Sequence, residues 1–152
     1  MVKVGSGNDH ILKRVASVVN VKDFDRVYRT ILNKTIFQRN GALGFAGNQV
    51  SMNENVFTAV IGGCWKVFIN PIIVEKSDEA YNSVEECLSL PKEKPKVVKR
   101  HESIWLHYFK KSGDKWESVN ELFTGLDAKI IQHEVDHLNG NTIADKEIRE
   151  CK

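Results

Sequence analysis

Residues 124–140 read TGLDAKIIQHEVDHLNG, and the segment HEVDH within them places His133 and His137 four residues apart with Glu134 between them. An α-helix has about 3.6 residues per turn, so both imidazoles lie on one face and can bind one ion, while Glu134 leans toward its open side. Two histidines satisfied inside a core are the simpler alternative. The accompanying glutamate favours metal chemistry with an activated water molecule.

The same segment carries the signals of a helix. Thr124 and Asp127 predict an N-terminal capping box, Gly125 is acceptable in the first turn, and Gly140 ends the helix. Apolar residues spread around the helix rather than forming a single stripe, which predicts that it is largely buried. These anchoring residues are Leu126, Ile130, Val135 and Leu138.

The rest of the chain predicts one helix followed by many strands. Residues 20–40 repeat apolar side chains at helical spacing and precede Gly41, which predicts an N-terminal helix. Residues 42–50, ALGFAGNQV, are rich in small side chains, so we expect neither a helix nor a strand there but a close approach of the backbone to another group. Alternating apolar residues predict strands at 56–61, 65–69, 72–75, 84–88, 97–100, 103–109 and 116–122.

Turn residues divide these strands. Gly62 and Gly63 predict a hairpin, residues 112–114 predict another turn, and Asn70 with Pro71 predicts the end of the second strand. This order predicts an α+β fold in which antiparallel β-sheets surround the metal-bearing helix, with one further helix at the N-terminal side. A chain of 152 residues with 41% hydrophobic residues predicts a single domain over residues 1–152.

Charge and cysteine usage narrow the class of protein. The formal net charge of +2 and the scattered lysines argue against nucleic acid as a ligand. The first residues lack an apolar secretion signal, and the most apolar later stretch is too short to span a bilayer, so we expect no membrane partner. Three irregularly spaced cysteines indicate a reducing compartment, and we expect a cytoplasmic protein.

A catalytic metal site of this kind needs a third protein ligand. Downstream of the helix only Glu147 and Glu150 are available, so we expect the third ligand upstream. Cys87 is the best candidate because thiolate is a strong ligand and its loop is bounded by Pro91. Cys64 lies between two predicted strands and Cys151 lies in a terminal tail, so both are weaker candidates. A zinc endopeptidase that uses a downstream glutamate remains an alternative.

Three segments of the chain match one set of motifs. Residues 42–49, ALGFAGNQ, are similar to the pattern GxGLAAxQ; residues 85–89, EECLS, are similar to EGCLS; and residues 132–137 contain QHExDH in full. In their order and spacing, these segments together resemble the peptide deformylase family, and the resemblance covers most of the chain. The chain ends soon after the metal helix, so it looks like the shortened members, including phage-encoded ones. Longer members have a C-terminal helix implicated in ribosome docking, and we leave docking by this chain open.

The resemblance implies an activity and a ligand set. It implies that Cys87, His133 and His137 bind one divalent metal ion, that Glu134 moves the proton, and that the reaction removes the formyl group from N-formylmethionyl nascent chains and releases formate. Ferrous iron is the ion that the family resemblance suggests, and zinc, nickel or cobalt also suit these ligands.

The resemblance also implies supporting residues. Gln49 and the backbone N–H of Leu88 resemble the family's oxyanion donors. Glu85 is expected to pair with Arg100 and fix the cysteine loop, and Asp136 is a further candidate for support of the ligands. The residues at family substrate positions are Leu43, Gly44, Phe45, Gly125, Lys129 and Ile130.

Glu86 departs from the family pattern, which has glycine before the metal cysteine. A carboxylate beside the substrate loop is expected to change which peptides bind. It also keeps open a second alternative function, that of a protein that binds formylated peptides without turnover.

Overall fold

The structure is a computed structural model that describes residues 10–87, 89 and 94–148. Two sheets and three α-helices make up the described fold. The strands are β1 (Gly44–Ala46), β2 (Val56–Ile61), β3 (Cys64–Lys76), β4 (Ala80–Glu85), β5 (Lys96–His101), β6 (Ser103–Ser112) and β7 (Lys115–Thr124). The helices are α1 (Phe24–Thr35), α2 (Gly125–Leu138) and α3 (Ile143–Lys146), with 3₁₀ turns at His10–Lys13, Val21–Asp23, Ile36–Gln38 and Gly47–Val50.

All strand pairs in the two sheets are antiparallel. The main sheet has the order β1-β2-β3-β6-β7, and β4 pairs with β5 in a small second sheet. Helix α2 contacts β1, β2 and β7 of the main sheet and β5 of the small one. The predicted α+β class, with antiparallel sheets around the helix that carries HEVDH, is therefore confirmed.

The main sheet has a hydrophobic core on each face. On one face, side chains of α2 such as Ile131 pack against Phe57 and Phe68, whose rings stack with centroids 4.5 Å apart. On the other face, Val27 and Ile31 of α1 lie in a cluster with strand residues. Burial of each such large apolar side chain contributes roughly 1.5–3 kcal/mol, so both helices are held to the sheet mainly by packing.

Helix α2 is also tied to the small sheet by polar groups. The side chain of Gln132 accepts a hydrogen bond from the backbone N–H of His101 at 2.9 Å and donates one to the carbonyl of the same residue at 2.9 Å. This reciprocal pair places the HEVDH turn beside the strand that follows the cysteine loop.

The strand predictions are partly wrong around Asn70 and Pro71. Strand β3 continues through both residues to Lys76, and the predicted separate strand at 72–75 is part of it. Asn70 has a positive φ of 51°, and the register with β6 shifts between Ile69 and Ile72, so the turn-forming residues make a bulge within the strand.

Three other local expectations are wrong. Residues 42–50 contain strand β1 and a 3₁₀ turn rather than irregular backbone. The strand expected at 84–88 lies earlier, at Ala80–Glu85. Thr124 occupies the N-cap position of α2 but makes no side-chain capping bond, because it is still the last residue of β7 and pairs with Ser103.

Within the described residues, we find no helix that is long and apolar enough to cross a membrane.

Candidate metal centre

The side chains of Cys87, His133 and His137 form one cluster. Their ligand atoms all lie within 4.8 Å of one another, and Cys87 Sγ is 3.3 Å from His137 Nε2. The cysteine follows the end of β4, whereas the two histidines lie one turn apart on α2. The fold thus brings together the three residues that the sequence suggested as ligands.

The other candidate ligands lie elsewhere or outside the described residues. Cys64 is exposed at the start of β3. Glu147 makes an ion pair with Lys96, with the two charged atoms 3.5 Å apart. Glu150 and Cys151 lie outside the described part of the chain.

A buried ion-pair network orients His133. Its Nδ1 lies 2.9 Å from Oε1 of Glu85, so Nε2 is left for an ion. Arg100 donates two hydrogen bonds to the Glu85 carboxylate, both at 2.8 Å, and a third to Asp136 at 2.6 Å. The expected contact between Glu85 and Arg100 is present, and its bidentate geometry is the strong form of a carboxylate–guanidinium pair.

The network shifts several pKa values. Although burial raises it, hydrogen bonds from Arg100 and His133 hold the pKa of the Glu85 carboxyl well below its usual range. Burial lowers the pKa of His133, but hydrogen bonds with Cys87 and Glu85 outweigh this and raise it to about 10. A proton therefore occupies His133 when no ion does, so proton and ion compete for this ligand.

Burial is the main cause of the pKa shifts of His137 and Glu134. Burial lowers the pKa of His137 well below its usual value, which leaves the imidazole neutral and able to ligate. Burial raises the pKa of the Glu134 carboxyl to about 7. Glu134 is 4% exposed, and its Oε2 has no hydrogen-bond partner among the described residues.

The donor set fits a divalent transition-metal ion. One thiolate and two imidazoles supply three ligands, which is the number found in catalytic sites that keep one position open. A buried unpaired carboxylate oxygen beside them is what a site for proton transfer to or from bound water requires.

Gln49 lies beside Cys87, in the 3₁₀ turn Gly47–Val50. Its Oε1 accepts a hydrogen bond from the Ala46 N–H at 2.8 Å, and its Nε2 donates to Ser89 Oγ at 3.0 Å and lies 3.9 Å from Cys87 Sγ. The side chain is 2% exposed and is therefore held in one orientation with its amide N–H groups toward the cysteine loop. Leu88, the other expected donor, lies outside the described residues.

A cavity of about 520 Å³ opens beside the three-residue cluster. Most of the expected substrate residues line it, but Phe45 does not: its side chain is fully buried in the core on the α1 side of the sheet, with its ring stacked on Trp65. Gly125 is not among the lining residues either. The lining residues are Gly41, Ala42, Leu43, Gly44, Gln49, Val84, Glu85, Glu86, Cys87, Leu126, Lys129, Ile130, His133 and Glu134.

The sequence reasoning missed two apolar residues of the cavity and one buried amide. Leu126, expected to anchor the helix, is 60% exposed at the cavity, and Val84 is 65% exposed there. Leu126 stands one helical turn before Ile130, and this spacing could have identified it. Asn48 is 2% exposed and donates a hydrogen bond to the backbone carbonyl of His137.

The described fold is α+β, and an open cavity lies beside a cluster of one cysteine and two histidines with an adjacent glutamate. This combination defines the class of metal-dependent hydrolases. The sequence model of the polypeptide deformylase family matches residues 1–152. The chain belongs to this family, whose members are metal-dependent hydrolases that remove N-formyl groups from nascent peptides.

Individual proteins agree with this assignment. Peptide deformylase 1 of Clostridium perfringens is 37% identical over 144 residues, which cover 93% of this chain and 94% of that protein. The structure of a class I type b peptide deformylase from Acinetobacter baumannii with Met-Ala-Ser bound has a TM-score of 0.82 and 29% identity, covering 95% of this chain and 97% of the other.

A phage protein is also similar. The peptide deformylase of the Vibrio parahaemolyticus bacteriophage VP16T, in complex with actinonin, has a TM-score of 0.80 and 30% identity, covering 92% of this chain and 98% of that chain. The predicted resemblance to the family, including phage-encoded members, is thereby confirmed. The two alternatives, a zinc endopeptidase and a binder without turnover, find no support.

Proposed function

We propose that this chain removes the formyl group from N-formylmethionyl peptides and nascent chains and releases formate, within a single catalytic domain of residues 1–152. The observation that carries the proposal is the convergence of the ligand atoms of Cys87, His133 and His137 within 4.8 Å, beside an open cavity that Cys87, His133 and Glu134 line.

Cys87 Sγ and the Nε2 atoms of His133 and His137 would hold one divalent ion. When bound, the ion supplies a Lewis acid that lowers the pKa of water from about 15.7 to near 7. We propose ferrous iron as the native ion, on the basis of the family resemblance, with zinc, nickel or cobalt able to bind the same ligands. Iron predicts oxygen-sensitive activity, whereas full air-stable activity with only zinc bound would contradict it.

Glu134 would carry the proton of the reaction. Its carboxylate accepts a proton from the attacking water, whose oxygen forms a bond to the formyl carbon. The carboxyl then gives the proton to the amine nitrogen as the carbon–nitrogen bond breaks, so formate and a free amino terminus result. A buried carboxyl is suited to both steps because it gains and loses its proton near neutral pH.

Gln49 would stabilise the oxyanion that forms at the formyl oxygen. The bond from Ala46 N–H to Gln49 Oε1 fixes the amide, which leaves an Nε2 hydrogen as a donor near Cys87. The backbone N–H of Leu88 remains a prediction for the second donor. Loss of one such donor costs about 3 kcal/mol of transition-state stabilisation.

The supporting roles of Glu85, Arg100 and Asp136 follow from the same network. Glu85 would hold the Nδ1 side of His133, while Arg100 neutralises Glu85 and connects it to Asp136 on α2. These three residues would orient a ligand rather than contact the substrate.

The peptide would bind between two sheet edges. The residues that line the cavity include 41–44, which lead into β1, and 84–87, at the end of β4. Each of these strands is at the edge of its sheet, so an extended peptide can add its backbone hydrogen bonds there. The methionine side chain would contact Leu43 and Ile130, together with Leu126.

We further propose that the protein acts in the cytoplasm of a bacterium or of an infected bacterial host. Free Cys64 and Cys87 fit a reducing compartment. Nascent chains are the proposed partner, and direct docking on the ribosome is not part of the proposal.

The test is formate release from N-formyl-Met-Ala-Ser by anaerobically purified, iron-loaded protein. Glu134→Ala is the matched variant, with metal content measured in both proteins. Release that disappears in the variant while its metal remains would support the proposal. Absence of release from the metal-loaded wild type would overturn it.

A further inference from the structure

Two buried polar atoms beside the ligands have no hydrogen-bond partner among the described residues, Nδ1 of His137 and Oδ1 of Asn48. The two residues already touch, because Asn48 Nδ2 donates a hydrogen bond to the backbone carbonyl of His137. Both side chains are almost completely buried, so bulk water does not satisfy either atom. Unpaired polar atoms are costly in a core, and here one potential donor and one acceptor belong to residues in contact.

Ion binding decides which atom of His137 carries the proton. Its Nε2 lies 3.3 Å from Cys87 Sγ and therefore faces the ligand set. A neutral imidazole that gives the lone pair of Nε2 to an ion carries its hydrogen on Nδ1. That Nδ1–H then needs an acceptor, just as Nδ1 of His133 has the carboxylate of Glu85 at 2.9 Å.

The orientation of the Asn48 amide is fixed by its neighbour. Its Nδ2 must face the His137 carbonyl, since the reversed amide would place two acceptor oxygens against each other. The oxygen Oδ1, which can only accept, is therefore the atom left for a donor. Asn48 and Gln49 share the 3₁₀ turn Gly47–Val50, so one short segment reaches both the ligand helix and the cysteine loop.

We propose that Asn48 is a positioning residue for the metal ligand His137. Its Nδ2 fixes the backbone at the end of α2, and its Oδ1 accepts the Nδ1–H of His137, directly or through one bridging water molecule, when an ion is bound. The inference rests on the proposed function, because it requires that His137 binds the ion through Nε2.

Zinc affinity of the purified protein tests this role. Asn48→Ala removes both hydrogen bonds, and we expect it to bind zinc about 10–100-fold more weakly in a competition titration with a chromophoric chelator, as is usual when a partner of a ligand is lost. The matched control is Asn70→Ala. Asn70 is also a buried amide, and its side chain bonds the N–H and the carbonyl of Val19 at 2.8 and 2.9 Å.

We expect Asn70→Ala to unfold at lower urea concentration and to keep the zinc affinity of the wild type. If Asn48→Ala binds zinc within about twofold of the wild type, or if both variants lose affinity equally, the role of Asn48 is overturned. A nitrogen-15 spectrum of the zinc-loaded wild type adds a test that needs no variant. It should show His137 protonated at Nδ1 with a slowly exchanging proton, and an unprotonated Nδ1 would contradict the inference.

Formate release tests the proposed function separately. A wild type that binds zinc tightly but releases no formate, with weak binding in Asn48→Ala, would overturn the activity and leave the role of Asn48 intact. A wild type that releases formate, and whose zinc affinity does not depend on Asn48, would support the activity and overturn the role of Asn48.

Discussion

Gly44 lies directly against the side chain of Glu134. A Cβ atom added to Gly44 would be 2.7 Å from Oε1 of Glu134 and 2.9 Å from its Cδ, both closer than real Cβ contacts allow. Gly44 cannot move away easily, because it is paired with Ala59 of β2. Glu134 is buried, so any added atom must displace the carboxylate within the site.

Gly44→Ala is therefore expected to lower kcat for deformylation by roughly 100-fold, the effect typical of a catalytic group moved by about 1 Å. Formate release under saturating peptide measures kcat, and the metal content should be unchanged. Gly113→Ala is the control: its Cβ meets no atom within 4 Å, but its φ is +61°. That variant should lose roughly 1–2 kcal/mol of stability and keep its kcat. An unchanged kcat in Gly44→Ala would mean that Glu134 does not act from this position.

The ligands could be predicted from sequence because HEVDH holds two of them at a spacing that any helix reproduces. Cys87 is favoured over Cys64 by its position in a loop bounded by Pro91, the resemblance to EGCLS supports the same residue, and the fold brings it to the two histidines of α2. Phe45, expected at the substrate site, lies away from the cavity for a simple geometric reason. Successive residues of a strand face opposite sides, so Gly44 faces Glu134 and Phe45 enters the core on the α1 side.

Tertiary contacts explain the other wrong predictions. Asn70 and Pro71 are turn residues, but the Asn70 side chain bonds both backbone groups of Val19. Asn70 therefore keeps its positive φ within a bulge of β3 instead of ending the strand. Leu126 lies in the first turn of α2, at the cavity rather than over the sheet core. The bulge at Asn70 is not contained in residue type or local spacing, whereas the one-turn spacing of Leu126 and Ile130 did carry a signal for the cavity.

Loss of Arg100 should destabilise the protein strongly. Its guanidinium and the Glu85 carboxylate are each 4% exposed, and Arg100→Met leaves that buried carboxylate without its bidentate partner, with only His133 still beside it. We expect the free energy of unfolding to fall by about 3–5 kcal/mol in urea titrations of the metal-free protein. Arg26→Met removes an exposed pair with Glu54 and should cost less than about 1 kcal/mol. Equal losses in the two variants would show that the buried network contributes no special stability.

Substitutions of Cys87 and Cys64 distinguish a metal ligand from an exposed thiol that binds no metal. Cys87→Ala removes one of three ligands, so we expect zinc affinity to fall by roughly 100-fold or more, beyond the effect of losing an outer partner. Cys64→Ala changes an exposed residue outside the cluster and should leave zinc affinity and formate release unchanged. Treatment of the wild type with a chelator should abolish activity, and added metal should restore it. Tight zinc binding by Cys87→Ala would exclude the cysteine as a ligand.

Asp145 should contribute to the acid limb of the stability curve. Although burial raises it, hydrogen bonds from Lys13 and Thr142 hold the pKa of Asp145 below its usual value of 3.8. The carboxylate therefore stabilises the fold fully above that usual value, and the contribution is lost as the pH falls through the lower folded-state pKa.

Asp145→Asn should lower the free energy of unfolding at neutral pH by roughly 1 kcal/mol, the usual value of a helix-capping bond, and should flatten its decline in acid. Urea titrations between about pH 2 and 7 measure both effects. Asp114→Asn, in the turn between β6 and β7, is the control for loss of a surface carboxyl. If the acid limb of Asp145→Asn stays as steep as that of the wild type, the assignment to this residue fails.

Glu86 and Lys129 place opposite charges on the walls of the cavity, and neither makes an ion pair with another described residue. A peptide with lysine after the methionine can approach Glu86, while one with glutamate can approach Lys129. Interactions between exposed charges are worth at most about 1 kcal/mol, so we expect Glu86→Gln to lower kcat/KM for formyl-Met-Lys peptides relative to formyl-Met-Ala peptides by up to about fivefold.

Lys129→Gln should have the matching effect on formyl-Met-Glu peptides, and both differences should shrink as salt is raised, because mobile ions screen exposed charges over about 10 Å at 0.1 M. The ratio of kcat/KM values for paired peptides is the measurement, since it cancels differences in metal loading between preparations. A ratio that does not change in either variant would show that the peptide passes beyond the reach of both charges. Its preference would then be set by the apolar residues that line the cavity, such as Leu126 and Val84.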